Sequence, residues 1–217
     1  MSGTFAAKPL TAALAALVIG LAACGDDDGD DTKARKPADA GAAPSAPNLE
    51  RFLMRKDEEP GFRPGALPGA MPRARDTITG VEAFANEMRL TPADERRLRE
   101  EGFTSFTVGP IRGPGETAGL TNVALFATAA GAKHNLAYET RTDVIRASGP
   151  AAKLRRFTVP GLPGARGWTA SQPTVGNVFW VQGRCVLGLG NQGPGPLVEP
   201  LSAGARAIYE RTDGVCP

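Results

Sequence analysis

The run Thr174-Val175-Gly176-Asn177-Val178-Phe179-Trp180-Val181-Gln182-Gly183-Arg184-Cys185-Val186-Leu187-Gly188-Leu189-Gly190 carries two apolar segments around a Gln-Gly pair. Such a pattern reads as a β-hairpin with its turn at Gln182-Gly183. Pairing outward from that turn sets Val181 against Arg184, Trp180 against Cys185 and Val178 against Leu187. Side chains alternate between the faces of a strand, so Trp180 and Leu187 share one face, and Phe179, Val181 and Val186 share the other. Downstream, Leu197, Leu201, Ala205 and Ile208 recur at helical spacing over 197–211. An amphipathic helix there can cover the first face and make Trp180 a core residue. The second face needs its own cover. The default is protein, either a helix over 129–148 or another part of the domain; the alternative is a cleft for an apolar or lipid-like molecule, with Phe179, Val181 and Val186 as its lining.

Working upstream, strands are expected at 154–159 and 165–171, around the turn Pro160-Gly161-Leu162-Pro163-Gly164. Another strand is expected at 103–111, with Phe103, Ser105 and Thr107 on one face and Phe106 and Val108 on the other. Gly113-Pro114-Gly115 then turns the chain into a strand at 120–128, its antiparallel partner. Over 129–148 the period becomes helical, placing Leu136, Thr140, Val144 and Ala147 on one stripe before Gly149-Pro150 stops it. Further back, Val81, Phe84 and Met88 mark a helix at 80–90. Thr91-Pro92-Ala93-Asp94 opens the next helix with a threonine cap and a first-turn proline, and Gly102 closes it. Its charged body, from Asp94 to Glu101, reads as a solvated face. A short helix at 49–55 follows Asn48, and 61–72 is too rich in Gly and Pro to be regular. The expected fold is α+β, a mainly antiparallel sheet packed with helices, in a single domain over 48–217.

The N-terminal region has another character. Residues 10–23 contain no charge, and fourteen apolar or small residues are too few for a membrane-spanning helix, which needs about 20. Their end, Leu21-Ala22-Ala23-Cys24, resembles a lipobox, in which the cysteine is acylated and becomes the new N-terminus; residues 1–23 are then a signal peptide. Over 24–47 the acidic run Gly25-Asp26-Asp27-Asp28-Gly29-Asp30-Asp31 and an Ala/Pro/Lys stretch read as a disordered tether. It would hold the domain on the order of 25 to 30 Å from the bilayer. The acidic run lacks the glycine and glutamate positions of a calcium loop. With Cys24 given to lipid, Cys185 and Cys216 remain as an even pair in an exported chain, and a disulfide between them is expected.

Apparent catalytic motifs weaken on inspection. Gly188-Leu189-Gly190-Asn191-Gln192-Gly193 fits a dinucleotide fingerprint by letter, but Pro194 and Pro196 bar the helix that would meet a pyrophosphate, so it reads as a Gly/Pro loop. No G-x-S-x-G elbow occurs, and His134 is the sole histidine. No catalytic residue, cofactor or metal site is therefore assigned. Basic and acidic residues are interleaved, 25 against 23, which argues against a nucleic-acid partner.

The lipobox, the tether and the strand-turn segments Val159-Pro160-Gly161-Leu162-Pro163-Gly164-Ala165-Arg166 and Asn177-Val178-Phe179-Trp180-Val181-Gln182-Gly183-Arg184 resemble the uncharacterised lipoproteins of actinobacteria. The resemblance implies a small antiparallel-sheet domain of a sensor-like or PsbP-like kind. The function expected is that of a non-enzymatic, lipid-anchored domain at the extracytoplasmic face of the cell membrane, binding an envelope protein or a ligand. A carrier or sensor of apolar small molecules is the alternative. A hydrolase comes third, and would need His134 in a cleft beside a serine and a carboxylate.

Overall fold

The computed structural model describes residues 47–65, 77–147, 152–171 and 174–216. The expected signal peptide, Cys24 and nearly all of the expected tether lie outside these residues. The first described element is a 3-10 turn, Glu50–Phe52, followed by β1 (Arg63–Pro64), β2 (Ile78–Thr79), α1 (Val81–Met88), α2 (Pro92–Glu100), β3 (Phe103–Arg112) and β4 (Ala118–Phe126). Then come α3 (Ala129–Glu139), α4 (Thr142–Ala147), β5 (Ala152–Phe157), β6 (Arg166–Ser171), β7 (Val175–Gln182), β8 (Cys185–Gln192) and α5 (Val198–Arg211). The strands form one antiparallel sheet in the order β1-β3-β4-β8-β7-β6-β5, with β2 also paired to β3. The expected α+β class is thus observed, with five helices packed on eight strands. No helix among the described residues is long and apolar enough to cross a membrane.

The hairpin of β7 and β8 pairs one step away from the expected register. Gln182 faces Cys185, Val181 faces Val186 and Trp180 faces Leu187, so the loop is Gly183-Arg184 and not Gln182-Gly183. Gly183 has φ 52°, and the first position of a two-residue hairpin loop with positive φ is where glycine is needed. Moving the loop by one residue changes each pairing by two, which leaves every side chain on its expected face. Trp180, Leu187 and Leu189 therefore still meet α5, through Leu201, Ala205 and Ile208. Strand β8 also runs through Gln192, correcting the expected loop at 188–193. Its glycines lie under cross-strand side chains: a Cβ at Gly190 would collide with the Asn177 amide.

Two helical expectations and the end of one strand change for local and tertiary reasons. In place of a helix at 49–55 there is a single 3-10 turn, because the Arg211 guanidinium takes the carbonyls of Arg51 and Leu53 while the Arg55 amide donates to Glu58. The helix expected at 129–148 is broken into α3 and α4 at Thr140, whose carbonyl accepts from Arg156 at 2.8 Å. Strand β4 stops at Phe126 because Thr128 caps α3, accepting from the Gly131 amide at 3.0 Å. An irregularity in β3 after Phe103 turns both Phe103 and Phe106 toward Phe84, with ring centroids 4.8 and 4.9 Å away.

Two apolar layers result. One joins α5, the 47–65 segment and the Trp180 face of the sheet. The other joins α1, α2 and α3 to Phe106, Ala124, Phe126 and Val186. Cys185 and Cys216 are bonded, with Cα atoms 5.8 Å apart, tying the hairpin to the chain beyond α5. Beside the bond, Trp180 Nε1 donates to Gln182, whose amide donates to Thr212 at the end of α5. Cross-linking residues 31 apart restricts the unfolded chain by about 3–4 kcal/mol. The double substitution Cys185→Ser/Cys216→Ser should lower unfolding stability by about that amount in urea titration, with the far-ultraviolet spectrum retained at low temperature.

Candidate functional site

Titratable side chains converge where α2 meets α3. Helix α2 starts at Thr91, whose hydroxyl accepts from the Asp94 amide at 3.2 Å and donates to the Asp94 carboxylate at 2.6 Å. One face of this helix is not solvated as expected: Asp94 and Glu101 are each 5 % exposed. The correction has a steric origin. Gly131 presses α3 against the end of α2, and a Cβ there would overlap the Glu101 carbonyl oxygen. That approach buries the acidic face of α2 beneath Asn135, Tyr138 and Glu139.

The buried charges are paired unequally. Glu101 accepts from Arg97 Nη1, from Asn135 Nδ2 and, with Nδ1 protonated, from His134, each at 2.8 Å. Arg97 also donates to Glu139 at 3.2 Å and lies 3.8 Å from the centroid of the Tyr138 ring. Three carboxylates thus share one guanidinium. Burial pushes the Glu139 carboxyl up to about 7 against the pull of Arg97, helped by the negative charge of Glu101 and Asp94. The second oxygen of Glu139 has no partner. Protonation relieves that site, because an uncharged acid does not need a second cation.

His134 and Glu101 have the imidazole–carboxylate contact that a general base uses. The hydrolase reading needs more. His134 is bonded to no serine or threonine hydroxyl among the described residues, and its side chain is 71 % exposed. Its carboxylate is engaged by Arg97 and Asn135 in joining the two helices. Nor, among the described residues, do three or more His, Cys, Asp and Glu side chains group to hold a metal ion.

The face expected as a possible ligand cleft is closed by protein. Phe179 and Val186 are 2 % and 4 % exposed, and Val186 and half-buried Val181 pack into the layer under α1–α3. A ligand there would have to displace that layer, so the apolar cleft is corrected to a packed interface.

A further buried acid, away from the helix pair, was not legible in the sequence. Glu59 is fully buried between β8 and α5, where its Oε1 accepts from Asn191 Nδ2 at 2.5 Å and its Oε2 has no partner. Asn191, part of the false dinucleotide fingerprint, is the group that fixes it. Burial pushes the Glu59 carboxyl from 4.5 to about 7, with the Asn191 bond opposing the shift.

No family model and no curated protein matches this chain. Among solved structures, the extracellular domain of PknH from Mycobacterium tuberculosis is similar at 14 % identity and a TM-score of 0.46, over 80 % of this chain and 100 % of that one.

An acid whose folded pKa is raised holds its proton longer in the folded state, so stability is full below the unfolded pKa and falls as pH rises from about 4.5 to about 7. Glu59→Gln should remove the Glu59 part of that slope and raise stability at pH 8 by about 2–3 kcal/mol, read by urea unfolding across pH. At the helix pair, Glu101→Ala should cost about 3 kcal/mol by stranding the buried Asn135 amide and removing one of the carboxylates on Arg97, whereas His134→Ala should cost under about 1 kcal/mol.

Proposed function

We propose that this chain is a lipid-anchored accessory domain of the bacterial cell envelope, held at the extracytoplasmic face of the membrane and acting by binding and not by catalysis. The observation that carries this reading is Leu21-Ala22-Ala23-Cys24 at the end of an uncharged fourteen-residue run. Acylation of Cys24, by palmitate or a similar chain, would place residues 25–46 between the bilayer and the domain. The Cys185–Cys216 bond supports an oxidising compartment outside the cytoplasm. Support for a binding role comes from the way the ionisable groups are used: Glu101, Arg97 and His134 join two helices, and Glu59 joins the 47–65 segment to the sheet.

The closed Phe179/Val181/Val186 face weighs against a carrier of apolar molecules, and a partner protein or a polar ligand fits the exposed surface better. Cys24→Ser should yield an unprocessed precursor that takes up no radiolabelled fatty acid. Mature, membrane-held protein from that variant would sink the anchor.

A further inference from the structure

Positive charge is concentrated at one end of the sheet. Between positions 141 and 166 stand Arg141, Arg146, Lys153, Arg155, Arg156 and Arg166, all exposed, against the single carboxylate of Asp143, which is bonded to Arg141. Chain-wide, cations outnumber carboxylates by only two. Strand β5, which carries three of the six, pairs only with β6 among the described residues and forms an edge of the sheet. Register places Arg155 opposite Thr169 and Arg156 opposite Trp168, so cations leave β5 toward both faces.

Two of these cations are held by neutral acceptors. Arg156 Nη2 donates to the Thr140 carbonyl and to Thr142 Oγ1, both at 2.8 Å, and Arg166 Nη1 donates to Thr140 Oγ1 at 3.1 Å. Both guanidiniums converge on the C-cap of α3 with no carboxylate bonded to them among the described residues, leaving further N–H donors for an anion. Cations on an edge strand also discourage edge-to-edge pairing. That role alone does not call for six cations against one acid, nor for positioned guanidiniums on the adjoining strand and turn.

We propose that the β5 edge, with Arg141, Arg146 and Arg166 beside it, docks on anionic phospholipid headgroups. The inference rests on the anchored reading, because an anchor at Cys24 would confine the domain within reach of a bilayer, where each Lys or Arg near an anionic surface adds about a fivefold gain in binding. The phosphodiester is the group recognised, and fixed guanidiniums suit its paired oxygens.

The test uses the chain from Gly25 to Pro217 without lipid, which keeps both apolar layers and the disulfide. Co-sedimentation should show binding to vesicles of equimolar phosphatidylcholine and phosphatidylglycerol, none to phosphatidylcholine alone, and loss at high salt. Lys153→Ser/Arg155→Ser should weaken it roughly tenfold or more. The equal charge change Lys56→Ser/Arg63→Ser, on the 47–65 segment, should weaken it far less. Equal loss in both variants, equal binding to both vesicles, or no binding at all would overturn the proposal. So would binding that arises only when the aspartates at 26–28, 30 and 31 are replaced, which would give the edge to the chain's own acidic run. Acylation plays no part in this assay, so a failed anchor would show only in the Cys24→Ser fractionation.

Discussion

Antiparallel pairing of β4 with β8 is the contact on which this domain depends. It brings together segments more than fifty residues apart in sequence, one ending the β3–β4 hairpin and the other ending the β5–β8 meander. Both apolar layers cross this seam. Val123 and Leu125 join Leu187 and Leu189 beneath α5, while Ala124 joins Val186 beneath α3. Neither half can bury its two faces alone, because a two-sided sheet needs helices above and below. The disulfide reinforces the same seam from one end. Cys185 faces Leu125 in the β4–β8 register, and its partner Cys216 draws the chain after α5 down to that point.

What could be read from the sequence was what period and turn chemistry encode. The faces of β7 and β8 were readable because alternation assigns Trp180, Leu187 and Leu189 together whichever loop position is chosen. The loop itself was misplaced, since Gln182-Gly183 and Gly183-Arg184 both offer a glycine and only the cross-strand pairing separates them. The break between α3 and α4 was not visible locally. It is imposed by Arg156 and Arg166, which arrive from strands further along the chain and take the acceptors of Thr140. Likewise the 49–55 segment carries a helical period, but Arg211 from the far end of the chain binds its carbonyls.

Buried acids were the least legible part of the candidate site. Charge in a helix ordinarily signals solvent, and nothing within α2 distinguishes Asp94 and Glu101 from Glu95 and Glu100. The distinguishing residue is Gly131 on another helix, which allows the approach that covers two of these acids and leaves the others exposed. Glu59 is similar: its burial depends on Gly204, where a Cβ would crowd the Glu59 side chain, and on the amide of Asn191. In both places a glycine allows a close approach, to backbone at Gly131 and to the Glu59 side chain at Gly204, and an acid is enclosed as a consequence. Enclosure raises the pKa of Glu59 and of Glu139, so those two acids favour the folded state most where they are protonated.

The two edges of the sheet are treated differently, and that asymmetry bears on how the domain can meet a surface. Along β3 the outer edge is occupied by β1 at Arg112 and Ile111 and by β2 at Phe106 and Ser105, so its backbone groups are largely paired within the chain. Along β5 the described residues supply no further strand, and the border is made of charge. Buried carboxylates in the domain meet Arg97 or Asn191, and Glu58 meets Arg211, whereas Arg156 and Arg166 are spent on neutral oxygens. Buried carboxylates thus take the donors the fold brings to them, and Glu59 and Glu139 each keep one oxygen without a partner, whereas the exposed guanidiniums beside β5 are left to water or an external anion. A domain that encloses acids and gathers cations beside one edge strand would, in the docking proposed above, turn its β5 edge toward negative charge.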